Sequence, residues 1–298
     1  MYEENIIHKM ANKLVSLIPD KMFLSLKYRI KMGKTLDWKN PQTFSEKMQW
    51  LKLYNRKSIY TNMVDKYAVK KYVANIIGDE YIIPTIHIWD NAEEIDFNLL
   101  PAQFVLKATH DSGRVIICKD KSKLDTSQAI KEMNKSLKRN FYSVTREWPY
   151  KNVPRRIIAE KFMSSDKKTD TSDLRDYKFF CFSGKVHFFK IDFGRFIEHH
   201  ANYYSPDGCL LDFGESEFAP IPNANFKLPE NLNEMILLAE KLAGDEPFVR
   251  VDLYNVDGKI YFGELTFFPN SGFGKWTTYD ADFNIGKLIT LPVKIQNK

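Results

Sequence analysis

The stretch Phe248–Thr266 constrains this chain more than any other. Phe248-Val249-Arg250-Val251-Asp252-Leu253-Tyr254 alternates with period two, so Val249, Val251 and Leu253 share an apolar face while Arg250 and Asp252 share the other. After Asn255-Val256-Asp257-Gly258, a second strand runs from Ile260 to Thr266 and carries Glu264 and Thr266. The turn decides whether the acids meet. A two-residue Asp257-Gly258 turn places Asp252 and Glu264 on opposite faces. A three-residue loop over 256–258, with Gly258 left-handed, sets Arg250 opposite Glu264 and leaves Asp252 one diagonal away on the same face. The second register is the expected one, because it gathers Val249, Val251, Tyr261 and Leu265 on one buried face. Two carboxylates and an arginine on one face are costly unless a cation joins them, and Mg2+ favours few carboxylates plus phosphate oxygens. The competing account is an exposed hairpin whose acids pair with Arg250. Phe267-Phe268-Pro269-Asn270-Ser271-Gly272 follows, a rigid loop of small residues able to approach a substrate closely.

Upstream, residues 1 to about 60 read as helical, and Thr43 or Ser45 caps a new helix running on through Met48, Leu51 and Leu53. Another amphipathic helix spans 61–77, carries Asp65 and Lys66, and ends at Gly78. Tyr81 to Trp89 reads as a strand or strand pair broken at Pro84. Strands follow at Phe104–Lys107 and Arg114–Cys118 around a polar loop, then a helix over about 124–141 and a strand over Arg156–Phe162. A lysine-rich link, Ser164 to Ser172, precedes strands at Tyr177–Phe182 and Lys185–Phe193 and a helix over 230–243. The changes of texture place lobe boundaries near 103 and near 165–172, dividing the chain into 1–103, 104–165 and 166–298.

The formal net charge of +6 suits an anionic substrate, nucleotide or glycan and is no nucleic-acid signature. Cys118, Cys181 and Cys209 stand far apart without CxxC spacing, which argues against a disulfide framework or zinc site and fits a reducing cytoplasm. No apolar run approaches the roughly 20 residues needed to cross a bilayer, and no signal-peptide core is evident. Ile6, Ile7, Met10, Leu14, Leu17 and Ile18 recur at helical spacing with Lys9, Lys13 and Lys21 among them. Either a helix packed on its own domain or a surface-seeking membrane helix has that pattern, and the packed helix is the reading adopted.

In order and spacing these residues resemble the ATP-grasp ligases: Arg250-Val251-Asp252, then Glu264-Leu265-Thr266, then Pro269 and Gly272. More closely, the chain is similar to the TupA-like ATP-grasp family, named for teichuronopeptide biosynthesis. The matching stretches run from Thr43-Phe44-Ser45-Glu46-Lys47 through Asp65-Lys66, Phe104–Lys107, Ser112-Gly113, Glu160 and Asp176–Phe182 to Phe262–Thr266. The resemblance implies an α+β ATP-grasp fold, in which two lobes built on antiparallel sheets clamp ATP behind a helical N-terminal region. It implies that Lys66 and Lys107 meet the ATP phosphates and that the loop His110-Asp111-Ser112-Gly113 closes over them, with Ser112 and Gly113 offering N–H groups. It sets Glu160, Lys161, Phe162 and Met163 on the interlobe strand, where backbone groups of Lys161 and Met163 read adenine. The side chains of Phe162 and Met163 serve either as core or as base-stacking surfaces. Asp252, Glu264 and Thr266 hold Mg2+, while Lys178 and Arg195 meet phosphate or a substrate carboxylate. Thr266 stands where most ATP-grasp enzymes carry Asn; a hydroxyl is the weaker ligand, so the departure bears on a second Mg2+ ion more than on the first. His199 and His200 read as exposed loop histidines.

The activity implied is a carboxylate–amine ligase that consumes ATP through an acyl phosphate, joining an amine or amino acid to a uronic acid for a cell-surface polysaccharide. Such an enzyme would work in the cytoplasm, in peripheral contact with membrane-associated polysaccharide machinery. A rival is a glycosyltransferase using Asp280-Ala281-Asp282 as a DxD metal triplet. Another is a non-catalytic nucleotide-binding scaffold.

Overall fold

The computed structural model describes residues 17–164, 175–193, 198–221 and 227–293. Arg195, most of the 164–172 link, and Ile6, Ile7, Met10 and Leu14 of the N-terminal pattern lie outside the described residues. Two antiparallel sheets, of four and five strands, stand with helices packed against them, so the α+β expectation holds.

Helix α1 (Asp20–Met32) ends at Gly33, whose φ of 72° is the left-handed stop expected after a helix. Helix α2 (Phe44–Tyr54) opens on a capping box: the Thr43 side chain accepts from the Glu46 N–H, and the Glu46 carboxylate accepts from the Thr43 N–H. Such a cap contributes about 1 kcal/mol. Ser45 does other work. Its N–H and hydroxyl donate to the two carboxylate oxygens of Asp282, at 2.9 and 2.8 Å, joining α2 to α8 (Tyr279–Lys287) at the far end of the chain.

The single helix expected over 61–77 is two, α3 (Ile59–Val64) and α4 (Ala68–Ile77). Tertiary bonds override helix propensity at the break. Arg156 holds Asp65 at 2.9 Å, the other Asp65 oxygen accepts from the Tyr67 N–H, and the Lys66 N–H donates to the Thr109 carbonyl at 3.1 Å. The break fixes Lys66 against the smaller sheet.

That sheet orders β1 (Thr85–Trp89), β4 (Ile157–Lys161), β2 (Phe104–Ala108) and β3 (Val115–Cys118) side by side. It takes β1 from the stretch ahead of residue 103. Phe104, Leu106, Ile157 and Ala159 pack with Met133 of α5 (Thr126–Lys138) in a core of their own. By alternation, Lys107 and Glu160 face the opposite way, toward the larger sheet. A short helix α6 (Phe141–Thr145) and a 3-10 segment, Trp148–Asn152, lead into β4.

The larger sheet runs β7 (His200–Tyr204), β6 (Lys185–Phe193), β5 (Asp176–Phe182), β8 (Val249–Val256), β9 (Lys259–Thr266). Odd residues of β5 face α7 (Leu232–Ala243): the Cys181 sulfur lies 3.9 Å from the Ala239 carbonyl. Even residues of β5 and β8 therefore carry Asp176, Lys178, Arg250 and Asp252 to the other face.

Helix α8 lies hard against the start of α2. A Cβ on Gly286 would come 2.3 Å from the Gln42 carbonyl oxygen and 2.7 Å from the Phe44 nitrogen. Gly286→Ala should therefore force α8 away and cost about 1–3 kcal/mol, read as a lowered urea or thermal midpoint. An unchanged midpoint would contradict the close approach.

Candidate active site

The hairpin turn is the two-residue Asp257-Gly258, with φ of 52° and 89°, the type I′ pattern. The expected three-residue loop is absent, and taken alone this turn would part the two acids. A β-bulge restores them. Leu253 pairs with Phe262 but Asp252 pairs with Glu264, so Gly263 is the extra residue on β9. Glycine suits the place, since a Cβ there would lie 2.9 Å from the Asp252 carbonyl oxygen. Asp252 thus sits directly opposite Glu264, and Arg250 opposite Thr266. The buried face is Val249, Val251, Leu253, Ile260, Phe262 and Leu265. Tyr261, expected among them, pairs with Tyr254 on the other face.

Arg250 binds the acids together. Its Nε and Nη2 donate to the two Asp252 oxygens, each at 2.6 Å, and Nη2 reaches Glu264 Oε1 and Thr266 Oγ1, each at 3.1 Å. Lys178 is buried between Asp176 and Asp192 (3.0 Å to the latter) and stands 3.9 Å from Asp252. Burial pushes the Asp252 carboxyl up to about 7 against the pull of Arg250 and Lys178, with Asp176 and Glu264 adding to the rise. For Glu264 burial also opposes ionisation, but Arg250 and Lys66 hold the carboxyl down at about 2. A field that raises Asp252 this far has room for further positive charge. No group of three or more His, Cys, Asp or Glu among the described residues could hold a metal ion. A divalent ion at Asp252, Glu264 and Thr266 would therefore take its other ligands from phosphate oxygens and water, as Mg2+ does.

Across the cleft, Lys66, Lys70, Lys107 and Glu160 line a small cavity with Ile82, Ile83, Phe262 and Gly263. Lys66 donates to the Asp111 carbonyl; burial lowers its pKa, while Glu264 on the facing lobe raises it. Glu160 is buried between two ammonium groups, Lys70 and Lys107, each at 2.5 Å. Lys161 spends its N–H on the Pro84 carbonyl (3.0 Å), so an adenine reading there falls to its own carbonyl. Phe162 and Met163, half-buried, follow β4 as irregular chain.

The loop His110–Gly113 meets the expectation only in part. His110 is buried, with Nε2 3.3 Å from the Arg139 carbonyl, and burial lowers its pKa; it is turned into the small lobe. The Ser112 N–H is already taken by Asp111 Oδ1 at 2.8 Å. Ser112 and Gly113 are exposed, and Gly113 has the positive φ of 96° that glycine allows. His199 and His200 are not free loop histidines: His199 Nε2 lies 3.0 Å from Asp192 and its ring stacks on Phe218, while His200 begins β7. The Asp280-Ala281-Asp282 triplet is no metal pair. Two residues apart on α8, its acids point different ways, and Asp282 is buried on Ser45.

Two features went unread in the sequence. Lys70 stands one helical turn beyond Lys66, a spacing that could have linked them. The loop after β9 is clamped by α2: Lys52 donates to the Ser271 carbonyl at 2.7 Å, Gln49 to that of Gly272 at 2.8 Å, and Ser271 Oγ donates to Glu147 at 2.5 Å. Asn270 and Ser271 are thereby held at φ of 48° and 53°, a strained conformation for either. No local sequence signal predicts such a clamp.

The profile of the TupA-like ATPgrasp family matches residues 46–290. No curated protein matches significantly. Among solved structures, the chain is similar to D-alanine–D-alanine ligase from Bacillus anthracis, at 15% identity over 74% of this chain and 58% of that one, with a TM-score of 0.38. It is similar to an L-amino acid ligase from Bacillus licheniformis, at 12% identity over 85% of this chain and 55% of that one, with a TM-score of 0.43. It is also similar to D-alanine–D-alanine ligase from Helicobacter pylori, at 16% identity over 83% and 69%, with a TM-score of 0.42. The chain thus spans little more than half the length of the two Bacillus ligases.

Glu160 offers a pH test. Burial alone would raise its pKa, but Lys107 and Lys70 lower it below the ordinary value. A depressed carboxylate adds stability that is present above its unfolded pKa and lost as pH falls through the folded one. Wild type and Glu160→Gln should therefore differ most at neutral pH and converge as pH drops below about 4, followed by urea unfolding across that range. A constant gap would show that Glu160 is not held as an ion.

Proposed function

Because the chain belongs to the TupA-like ATP-grasp family, we propose that it is an ATP-dependent carboxylate–amine ligase. One observation carries this reading: Asp252 and Glu264 face each other across the bulge, with Arg250 on both and Lys66 on the other wall within electrostatic reach of Glu264. In the reaction proposed, a substrate carboxylate oxygen attacks the γ-phosphorus of ATP in line. The bond to the bridging oxygen breaks, releasing ADP and leaving an acyl phosphate. An amine nitrogen then attacks the acyl carbon, phosphate departs, and the amine proton goes to solvent or phosphate.

The residues act by position and charge. Lys66 and Lys107 hold phosphate oxygens as compact point charges, and Lys107 must share itself with Glu160 to do so. Arg250, planar and multidentate, steadies the oxyanion of the tetrahedral intermediate. Lys178, 3.9 Å away, pulls the Asp252 carboxyl toward its ionised form against burial. Asp252, Glu264 and Thr266 would hold Mg2+, which when bound neutralises phosphate charge. Glu160, Lys161, Phe162 and Met163 border the adenine end, while Ser112 and Gly113 stand at the exposed tip over the phosphates. Arg195 is proposed as a second contact to phosphate or to the substrate carboxylate.

The family and the net charge of +6 support an anionic carboxylate, such as a uronic acid of a cell-surface polysaccharide, joined to an amine or amino acid. The proposed place of work is the cytoplasm, beside membrane-bound polysaccharide machinery; among the described residues no helix is long and apolar enough to cross a membrane. Screening uronic acids against amino acids should reveal ADP and phosphate only when carboxylate and amine are both present. AMP and pyrophosphate as products would overturn the mechanism. Glu264→Gln should abolish turnover while the chain still folds, with a lowered unfolding midpoint at neutral pH because Arg250 and Lys66 lose a charged partner, although Arg250 keeps both bonds to Asp252. An active variant would remove Glu264 from the metal.

A further inference from the structure

Helix α1 turns Leu24 and Tyr28, both 0% exposed, into the protein. Its opposite side carries Met22, Leu26 and Ile30 at 58, 57 and 71% exposure. A four-residue spacing lays these three along one stripe. Such a row differs from the scattered single apolar residues of an ordinary surface. Lys21, Arg29 and Lys31 are exposed on the same helix. Asp20 is the lone acid between positions 17 and 36, and it is tied to Arg56 (2.6 Å), Arg146 (3.1 Å) and the Tyr142 hydroxyl (2.6 Å). Among the described residues none of Lys21, Arg29 and Lys31 is ion-paired, and the next acid along the chain is the exposed Asp37 beyond the helix.

We propose that α1 is a docking surface for an anionic lipid bilayer. The helix lies in the interface plane, with Met22, Leu26 and Ile30 among the acyl chains and Lys21, Arg29 and Lys31 at headgroup phosphates. Charge selects this occupant. A second copy docked through the same stripe would set these cations against themselves, a repulsive arrangement in a two-fold contact. The proposal does not depend on the ligase chemistry, since α1 contributes no residue to the cleft.

The test is sedimentation of the full chain with vesicles. Binding is expected to mixed phosphatidylglycerol–phosphatidylcholine vesicles, with little to phosphatidylcholine alone and a steady loss as salt rises. The double variant Leu26→Asp, Ile30→Asp should lower partitioning at least about tenfold, since each residue loses apolar burial. Arg29→Gln with Lys31→Gln should weaken binding and flatten its salt dependence. No binding to anionic vesicles, equal binding to both compositions, or an unaffected double variant would each overturn the proposal. A concentration-dependent dimer abolished by the double variant would assign the stripe to self-association instead. Should the double variant fail to fold, the wild-type salt series and the Arg29/Lys31 pair decide. Vesicle binding reads no turnover, so its failure leaves the ligase reading where it stood.

Discussion

Carboxylates gathered on one face of a sheet repel each other unless positive charge stands among them, and the large lobe is organised around that requirement. Asp176, Asp192, Asp252 and Glu264 come from four different strands. Arg250 and Lys178 are threaded between them, and Lys190 extends the pattern to Asp192 at 3.2 Å and Glu215 at 2.6 Å. Removing one partner would leave a buried charge uncompensated, which costs more than the pair itself contributes. The array is therefore a structural necessity as well as a site. The same arginine that neutralises the acids is the group best shaped to meet a developing oxyanion.

The small lobe answers with the opposite arrangement, one acid among cations. Glu160 lies between Lys70 of α4 and Lys107 of β2, while Lys66 stands at the break between α3 and α4. An anion entering between the lobes meets lysines from three separate elements on one side and an arginine on the other. Helix α2, remote from both sheets in sequence, holds the loop that follows β9 through Lys52 and Gln49. Burial lowers Lys52 to about 7 despite the nearby Glu147, so this clamp is itself under electrostatic tension.

Much of this was legible beforehand, and the misses have two causes. Period-two alternation identified the strands and the inward face of β8, because alternation is local. It could not set the register of β9: the two-residue turn put Tyr261 on the other face, and the Gly263 bulge then changed phase and brought Glu264 back opposite Asp252. Helix periodicity ran through 61–77 without interruption, since the bonds that break it reach Arg156 and Thr109, far along the chain. The acid triplet 280–282 looked like a ligand motif until helix geometry parted its members. His110 fitted a phosphate loop by position, yet its burial depended on Arg139, which no local pattern announces. Contacts distant in sequence decided the helix break and the place of His110, while the turn, the bulge and the acid triplet turned on local geometry.

The bulge has one more consequence. The turn and the pairs next to it would survive a straightening of the bulge with Gly263 kept, since the Asp257-Gly258 turn and the pairs from Val256–Lys259 to Leu253–Phe262 are complete without it. What would change is phase. With the bulge straightened and every residue kept, the two-residue register would run to the end of β9, set Glu264 opposite Val251 and turn its carboxylate to the core side, beneath α7. Ligand chemistry in this hairpin is thus encoded by the bulge at Gly263 as much as by the acids themselves. A side chain at position 263 that crowds the Asp252 carbonyl, rather than the loss of the residue, is the change that could silence the site while leaving the turn in place.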